Sequence, residues 1–469
     1  MAVRTEKLPL FGQYSSRLGS TSKDLRLKNV VVDPSKGADG ETDVYLTKRP
    51  GMTQHSSDTA AAGRGIYEWK GNLYIVLGNK LYKDSVQIGS TLTNSAGLVY
   101  FTEEHKTDLL VIQDGDKIIT TDGSTFTEQT DGDIPSSQVP GVVYIDTYIC
   151  VMNVNGEVYN SDLDDVTSWT AASFLTAKLE PDDGVALFKH RNYVAALGSW
   201  TLEFFYDAAN AAGTPLAPVD GAQHMIGCAA ANTVYADEDT AIWVTRTRKG
   251  GSRVGILQGL QVKYLSTPAI ERIINQEGTD LNTSRAFGMR VNGRLLYLLT
   301  LPTSDVTLVC DVETGYWTEW TSDTSTEAYF TGIGYAQMDG KHYILDEDNG
   351  KVYEMDFDIY QDDTNDINVE IVTDKWDGKS SRKKTIHRVD VVGDEQTTAS
   401  NITLEMTIDD YQNWSTARTI DMSKTTPAAN QFGKAEKAAF RVKHAANTPL
   451  RLKELELSYS LGKHNGGSY

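Results

Sequence analysis

One pattern constrains the fold of this chain more than any other: a strand–hairpin–strand unit that recurs along most of its length. The segment YEWKGNLYIVLGNKLYKD, from Tyr67, opens on aromatics, turns at Gly71-Asn72, runs as an apolar strand, turns again at Gly78-Asn79 and closes on Leu81 and Tyr82. Weaker copies begin at Val99, Val143, Leu187, Val234, Met289 and Tyr335. Equivalent strand positions fall at Tyr74, Leu110, Ile149, Val194, Trp243, Leu296 and Tyr343, so the spacings are 36, 39, 45, 49, 53 and 47 residues. Four strands of about five or six residues plus their turns fill roughly 40 to 50 positions. The repeat therefore predicts an all-β chain built on a β-propeller of about seven blade-like units, with unrelated hairpins in a sandwich or barrel as the alternative.

The texture changes at both ends of the repeat. Residues 1–50 hold short extended pieces, LRLKNVVVD and DVYLTKRPG, and read as an N-terminal extended arm. The propeller is expected over 51–365, followed by a C-terminal β-sandwich at 366–462, where VEIVTDKW, KTIHRVDVVGD, ITLEMTIDD, KAAFRVKHA and RLKELELSYS alternate with period two. Residues 463–469 read as a flexible tail. DFDIYQDDTNDI, from Asp356, is an acidic linker by composition, and the Ala/Pro/Gly-rich stretch 207–219 is a long excursion loop. One short helix interrupts the β pattern near 268–276: Thr267 suits the cap, Pro268 the first turn, and Ile270, Ile273 and Ile274 make one apolar face.

Charge narrows the function. The 469 residues carry a formal charge of −20, which divides into +3 over 1–50, −24 over 51–365 and +1 over 366–469. Such acidity excludes a general nucleic-acid or membrane-surface binder, because neutralising phosphates takes a basic face. Nowhere do 18 apolar residues run together and the N-terminus lacks the apolar core of a secretory signal, so no membrane-spanning segment is expected. Cys150, Cys228 and Cys310 are an odd number without CxxC spacing and read as buried small hydrophobes of a chain made in a reducing cytoplasm. The sequons at Asn282, Asn401 and Asn413 matter only in a secreted eukaryotic chain.

A search for chemistry names no catalytic residue, no cofactor and no metal site. There is no HExxH, P-loop, strand-borne GxGxxG or GxSxG. Paired carboxylates would suit a glycosidase, and Asp162/Asp164/Asp165, Asp182/Asp183, Asp237/Glu238/Asp239 and Asp346/Glu347/Asp348 are the candidates. Each sits at a predicted turn, where acidic residues serve solvation and Asx-turns. DEDNGKVYE faintly resembles a calcium loop, and TTDGSTFTE lies near the Asp-box turn but has Asp122 and Gly123 adjacent. Two basic segments are candidate DNA or partner contacts: the hairpin tip with Arg246, Arg248, Lys249 and Arg253, and the strip with Arg382, Lys383, Lys384 and Arg388. Trp200, Trp317, Trp320 and Trp414 either stack sugars or fill blade cores, and core packing fits their turns better.

The stretch GCAAANTVYADEDTAIWVTRTRKGGSRVGILQGLQVKYLSTPAIERII (227–274) resembles the tail-hub or nozzle proteins, also called packaged-DNA stabilisation proteins, of short-tailed bacteriophages. The matching positions are Gly227, Cys228, Asp239, Thr240, Trp243, Val244, Ser266, Thr267, Ala269, Ile270 and Glu271. Arg26, Asn29, Asp33, the Arg49-Pro50-Gly51 step, TLEFFYD at 201–207 and the Asp311-x-x-x-Gly315-x-Trp317 turn join them. The resemblance implies a structural virion protein, not an enzyme. It implies a homo-oligomer, a hexameric ring below the portal and its head-to-tail adaptor ring, that holds tail fibres or a plug or needle protein, retains packaged double-stranded DNA and conducts it through the lumen. Assembly in the host cytoplasm precedes its place in the virion. A carbohydrate-binding or glycan-degrading propeller is the alternative.

Overall fold

The computed structural model describes residues 2–15, 25–36, 42–57, 61–177, 179–322 and 328–462. The expected tail at 463–469 lies outside them. The chain divides into two compact units, one of residues 1–53, 306–330 and 356–469, the other of residues 54–305 and 331–355.

The second unit is built from the repeat. Four four-stranded antiparallel sheets follow one another: Gly63–Trp69 to Val86–Ile88, Tyr100–Glu104 to Phe126–Glu128, Gln138–Ile145 to Asp165–Thr176, and Gly184–His190 to Leu216–Pro218. A fifth sheet runs from Gly227–Cys228 through Thr240–Thr247 and Gly250–Gln258 to Gln261–Tyr264. The hairpin Arg285–Val291/Arg294–Leu301 and the strands Gly332–Met338, Lys341–Asp346 and Lys351–Asp356 complete the series. All seven positions aligned from sequence are buried. In the first five sheets each lies in the strand after the opening one, and Leu296 and Tyr343 lie in the second strands of the last two groups.

Apolar runs rather than strict alternation mark these strands because both faces are covered. Leu110 and Ile112 pack towards Tyr74 and Val76 of the first sheet, while Val111 between them packs with Ile149 and Val151 of the third. Met152 with Leu187 and Phe205 fills the gap between the third and fourth sheets, and Phe204 with Trp243 that between the fourth and fifth. Ile333, Tyr343 and Leu345 of the last group share a core with Ile66, Leu73 and Ile75 of the first. Burying each such side chain contributes about 1.5–3 kcal/mol. Close approach of neighbouring sheets depends on Gly141, φ 119°, where a Cβ would stand 1.8 Å from the Leu187 carbonyl oxygen.

The helix spans Pro268–Gln276, with Thr267 as its cap and Ala269, Ile270, Ile273 and Ile274 buried. Asn275 ties it to the strand Gly250–Gln258 through Ser252, donating to its carbonyl at 3.1 Å and accepting from its N–H at 2.9 Å.

In the first unit a six-stranded sheet contains Val3–Pro9, Val30–Lys36, Thr42–Lys48, Arg451–Leu461, Lys384–Gly393 and Ala428–Ala435. Val306–Asp311, Trp317–Trp320, Arg26–Lys28, Val369–Val372, Ala439–His444, Asn401–Thr407 and Arg418–Asp421 neighbour one another in that order in a second sheet. One apolar core joins Leu8, Leu27, Val32 and Leu46 from the first fifty residues to Ile371, Val389, Phe440 and Leu457. The segment read as an arm thus supplies strands and core to this unit. The acidic stretch after Asp356 is also part of it, since Asp362 pairs with the buried Arg49 at 2.5 Å. Cys150, Cys228 and Cys310 are free and buried. Burial pushes the thiols of Cys150 and Cys228 up to about 12 and that of Cys310 higher still.

Candidate functional site

Within the second unit the opening strands of successive sheets surround a cavity of about 740 Å³, lined among others by Tyr100, Phe188, Arg191, Tyr235, Asp239 and Phe287. Its ionisable groups are cross-tied between sheets. Arg191 Nε stands 2.8 Å from Asp239 Oδ1, Arg290 Nη2 stands 2.7 Å from Asp237 Oδ2, and Tyr100 donates to Asn232 Oδ1 at 2.6 Å. Burial raises the phenols of Tyr100 and Tyr235 above their ordinary range. These contacts brace the wall between neighbouring sheets.

The acidic clusters act at turns. Asp182 accepts from the Trp200 N–H at 2.6 Å and from Thr201 Oγ1 at 3.1 Å. Asp346 accepts from Thr331 Oγ1 at 2.6 Å and from the Asp348 and Asn349 N–H groups. Asp162 holds Ser168 and Thr170, and Asp165 holds Thr167. Asp122 accepts from the Ser124 and Thr125 N–H groups, which hold its carboxyl below the usual range. Among the described residues no group of three or more His, Cys, Asp or Glu is arranged to hold a metal ion.

The two basic segments differ. At the hairpin tip, Arg246 lies over the Trp200 ring at 4.7 Å, Arg248 Nη2 is 3.0 Å from Glu180 Oε2, Arg253 Nε is 3.5 Å from Glu271 Oε1, and Lys249 is exposed. Of the four cations in the other strip, Lys383 is exposed and Arg382 and Arg388 are half-buried. Arg388 is held by Asp390 and Arg382 donates to the Gly462 carbonyl. Lys384 does not reach the surface: it is completely buried, donating to the carbonyls of Ser380 and, at 2.6 Å, Glu436. As a correction to the reading of that strip, Lys384 is a bridge inside its unit, because a buried ammonium must find acceptors there.

The tryptophans are likewise structural in part. Trp317 and Trp320 are fully buried, Trp414 stacks on Arg441 at 4.3 Å, and Trp200 is half-buried beneath Arg246. The 207–219 excursion folds back on itself, with Ala208 donating to the Pro215 carbonyl at 2.8 Å and the Asn210 amide reaching the Thr214 carbonyl at 3.2 Å. Sequence reasoning missed several buried cations, among them Arg64, paired with Asp114 and donating to the Gly97 carbonyl at 2.7 Å, and Arg49. The Arg-Pro-Gly step was a signal for Arg49; Arg64 had none.

The family model described as bacteriophage P22 Gp10, β-propeller, matches residues 9–360. The chain belongs to that family. It is therefore a β-propeller protein of a phage tail, a structural component of the virion. No protein of curated function matches it. Similar solved structures include the N-terminal domain of Nup159, 12% identical, covering 71% of this chain and 99% of that one at a TM-score of 0.41. The WD40 β-propeller domain of Doa1 is 11% identical over 66% and 97% at 0.39, and BamB from Moraxella catarrhalis 10% identical over 71% and 97% at 0.37. No described helix of this phage tail protein is long and apolar enough to cross a membrane.

Several residues that carry the tail-hub resemblance are ties within the first unit. Arg26 Nη2 is 2.6 Å from Glu319 Oε2, Asn29 Nδ2 donates to Thr321 Oγ1 at 2.8 Å, and Arg451 Nη2 is 3.1 Å from Asp33 Oδ2. The Asp311 turn closes with Gly315 N–H donating to the Asp311 carbonyl at 2.8 Å.

Proposed function

We propose that this chain is a tail-hub, or nozzle, subunit of a short-tailed phage. Six copies form a ring below the portal and its head-to-tail adaptor, retain the packaged double-stranded DNA and conduct it during ejection. The propeller has about seven blade-like units over 51–365, between an N-terminal arm at 1–50 and a C-terminal β-sandwich at 366–462, and the ring carries tail fibres or a plug or needle protein. Assembly takes place in the host cytoplasm, and the role is not enzymatic.

The observation that carries this reading is the family match over 9–360. The core shared by the first and last groups of repeat strands supports a closed propeller. Charge supports the conduit. The second unit holds 20 Lys and Arg against 35 Asp and Glu, a formal −15 of the chain's −20. Six chains carry roughly −120. A lumen lined by acidic side chains of 51–365 repels a polyanion, so DNA slides without being held, whereas a basic lumen would bind it.

Electron microscopy of the full chain, alone and on its adaptor, tests the proposal. Six-fold rings with an acidic lumen are expected. A chain that stays monomeric and fails to join adaptor rings would overturn the hub reading, and a basic lumen would overturn the conduit's charge logic.

A further inference from the structure

The basic hairpin tip and an acidic one have complementary chemistry. Four of the second unit's 20 Lys and Arg residues fall in the eight positions Arg246–Arg253. Arg248 and Arg253 face carboxylates in exposed pairs, while Arg246 and Lys249 have no carboxylate partner among the described residues. Beside them lie the half-buried Trp200 and three exposed apolar side chains, Met225 (48%), Val154 (43%) and Leu179 (38%). A chain of contacts makes this one surface: Trp200 is tied to Asp182 and lies under Arg246, Leu179 precedes the Glu180 that holds Arg248, Met225 comes two residues before Gly227, which pairs with Arg246, and Val154 accepts from Gly184. Aromatic, Met and Arg side chains are the types enriched where proteins bind proteins.

The acidic counterpart is the turn between strands Glu157–Asp162 and Asp165–Thr176. Leu163 stands 63% exposed at its tip, with Asp162, Asp164 and Asp165 around it. The tip is pre-shaped: Asp162 pairs with Asp165 in register, Asp164 has φ 60°, and Ser168, Thr170 and Thr167 hydrogen-bond the flanking carboxylates. An apolar side chain ringed by carboxylates matches an aromatic ring flanked by cations.

Resting on the ring reading above, we infer that Leu163 of one copy seats on Trp200 of the next, with Asp162, Asp164 and Asp165 facing Arg246, Arg248 and Lys249. The occupant is a second copy for a topological reason. The strand Glu157–Asp162 begins beside the turn that carries Val154 and ends at the Leu163 tip, so surface and tip lie at opposite ends of one strand. A chain cannot satisfy both by itself, and the contact joins copies head to tail, the heterologous kind that closes into rings. Arg248 exchanges its exposed Glu180 partner, and Asp164 its exposed Lys106 partner at 3.2 Å, at little cost, since such surface pairs contribute at most about 1 kcal/mol.

Charge reversal tests the contact in the full chain by sedimentation and electron microscopy, alone and with the adaptor. Arg246→Glu with Arg248→Glu, or Asp162→Lys with Asp164→Lys, should each weaken ring formation about tenfold or more, and all four changes together should restore it. Because a reversed tip could disturb its own turn, a second measurement uses Leu163→Cys chains mixed with Leu179→Cys chains under oxidised glutathione. Disulfide-linked pairs between the two variants are expected, the native thiols being buried. If the wild-type chain forms rings and both reversed variants form them equally well, or the two cysteine variants give no linked pairs, this contact is overturned and the ring reading stands. A wild-type chain that forms no ring even on its adaptor overturns both.

Discussion

Arg49 Nη2 stands 2.5 Å from Asp362 Oδ2, with the two side chains at 1% and 12% exposure. The guanidinium also donates to Asn29 Oδ1 at 3.1 Å, the Pro50 carbonyl at 3.0 Å and the Thr321 carbonyl at 2.9 Å, and lies 5.6 Å from the ring centroids of Trp320 and Phe330. Four stretches of sequence converge on one side chain. Removing either partner leaves the other charge buried, which costs about 3–5 kcal/mol. Arg49→Met and Asp362→Asn should each lower stability by that order in urea denaturation, the double variant by less than the sum. Arg49→Lys should fail to restore it, because an ammonium cannot serve all these acceptors in the plane of the fork.

Gly141 and Gly71 separate two uses of glycine. Both have positive φ, 119° and 72°, but a Cβ at Gly71 meets nothing within 4 Å whereas one at Gly141 would collide with the Leu187 backbone. Gly71→Ala should cost about 1 kcal/mol. Gly141→Ala forces the third and fourth sheets apart and should cost on the order of 3 kcal/mol or more, or prevent soluble expression. Comparable losses for the two in thermal melts would refute this account of the packing.

Local signals in the sequence reached far in the second unit and stopped short in the first. The helix at Pro268–Gln276 was legible in full because its cap, first-turn proline and Ile spacing all lie within ten residues. The repeat positions were legible because each sheet is made of consecutive strands. By contrast, Val3–Pro9 pairs with residues 454–460, and Leu27 with Ile371, across separations that no periodicity encodes. Lys384 looked like its basic neighbours because sequence reports charge and not depth. The Arg64–Asp114 pair was hidden for the same reason: two ordinary surface-type residues, fifty positions apart, are brought together only when the first two sheets pack. At the hairpin tip the cluster of cations was visible, but the Trp200 ring under Arg246 was not, since it arrives from another sheet.

Lys383 and Lys384 are adjacent in sequence and opposite in consequence. Lys384→Ala removes a completely buried side chain and leaves the Ser380 and Glu436 carbonyls without their donor, a loss of about 1–3 kcal/mol for the unsatisfied groups alone. Lys383→Ala touches an exposed side chain and should stay within about 0.5 kcal/mol. If the basic strip meets a polyanion, Lys383→Ala should reduce the salt dependence of that binding without moving the melting temperature. Equal destabilisation by the two changes would overturn the assignment of Lys384 to the interior.

His444 gives the first unit a pH dependence of definite sign. Its ring is buried, with Nε2 3.1 Å from Ser400 Oγ and 3.2 Å from Thr448 Oγ1, and burial followed by the charge of Lys48 lowers its pKa to about 4. The unfolded chain titrates this group near 6.5. Between those values the unfolded state binds the extra proton, so stability is complete above about pH 6.5 and falls as pH drops towards 4. The shift corresponds to a loss of up to about 3 kcal/mol. His444→Gln removes the titrating group while keeping a polar side chain beside Ser400, so its urea midpoint should vary less between pH 7 and pH 4 than that of the native chain. Equal slopes for the two proteins would show that acid sensitivity in this range comes from other groups.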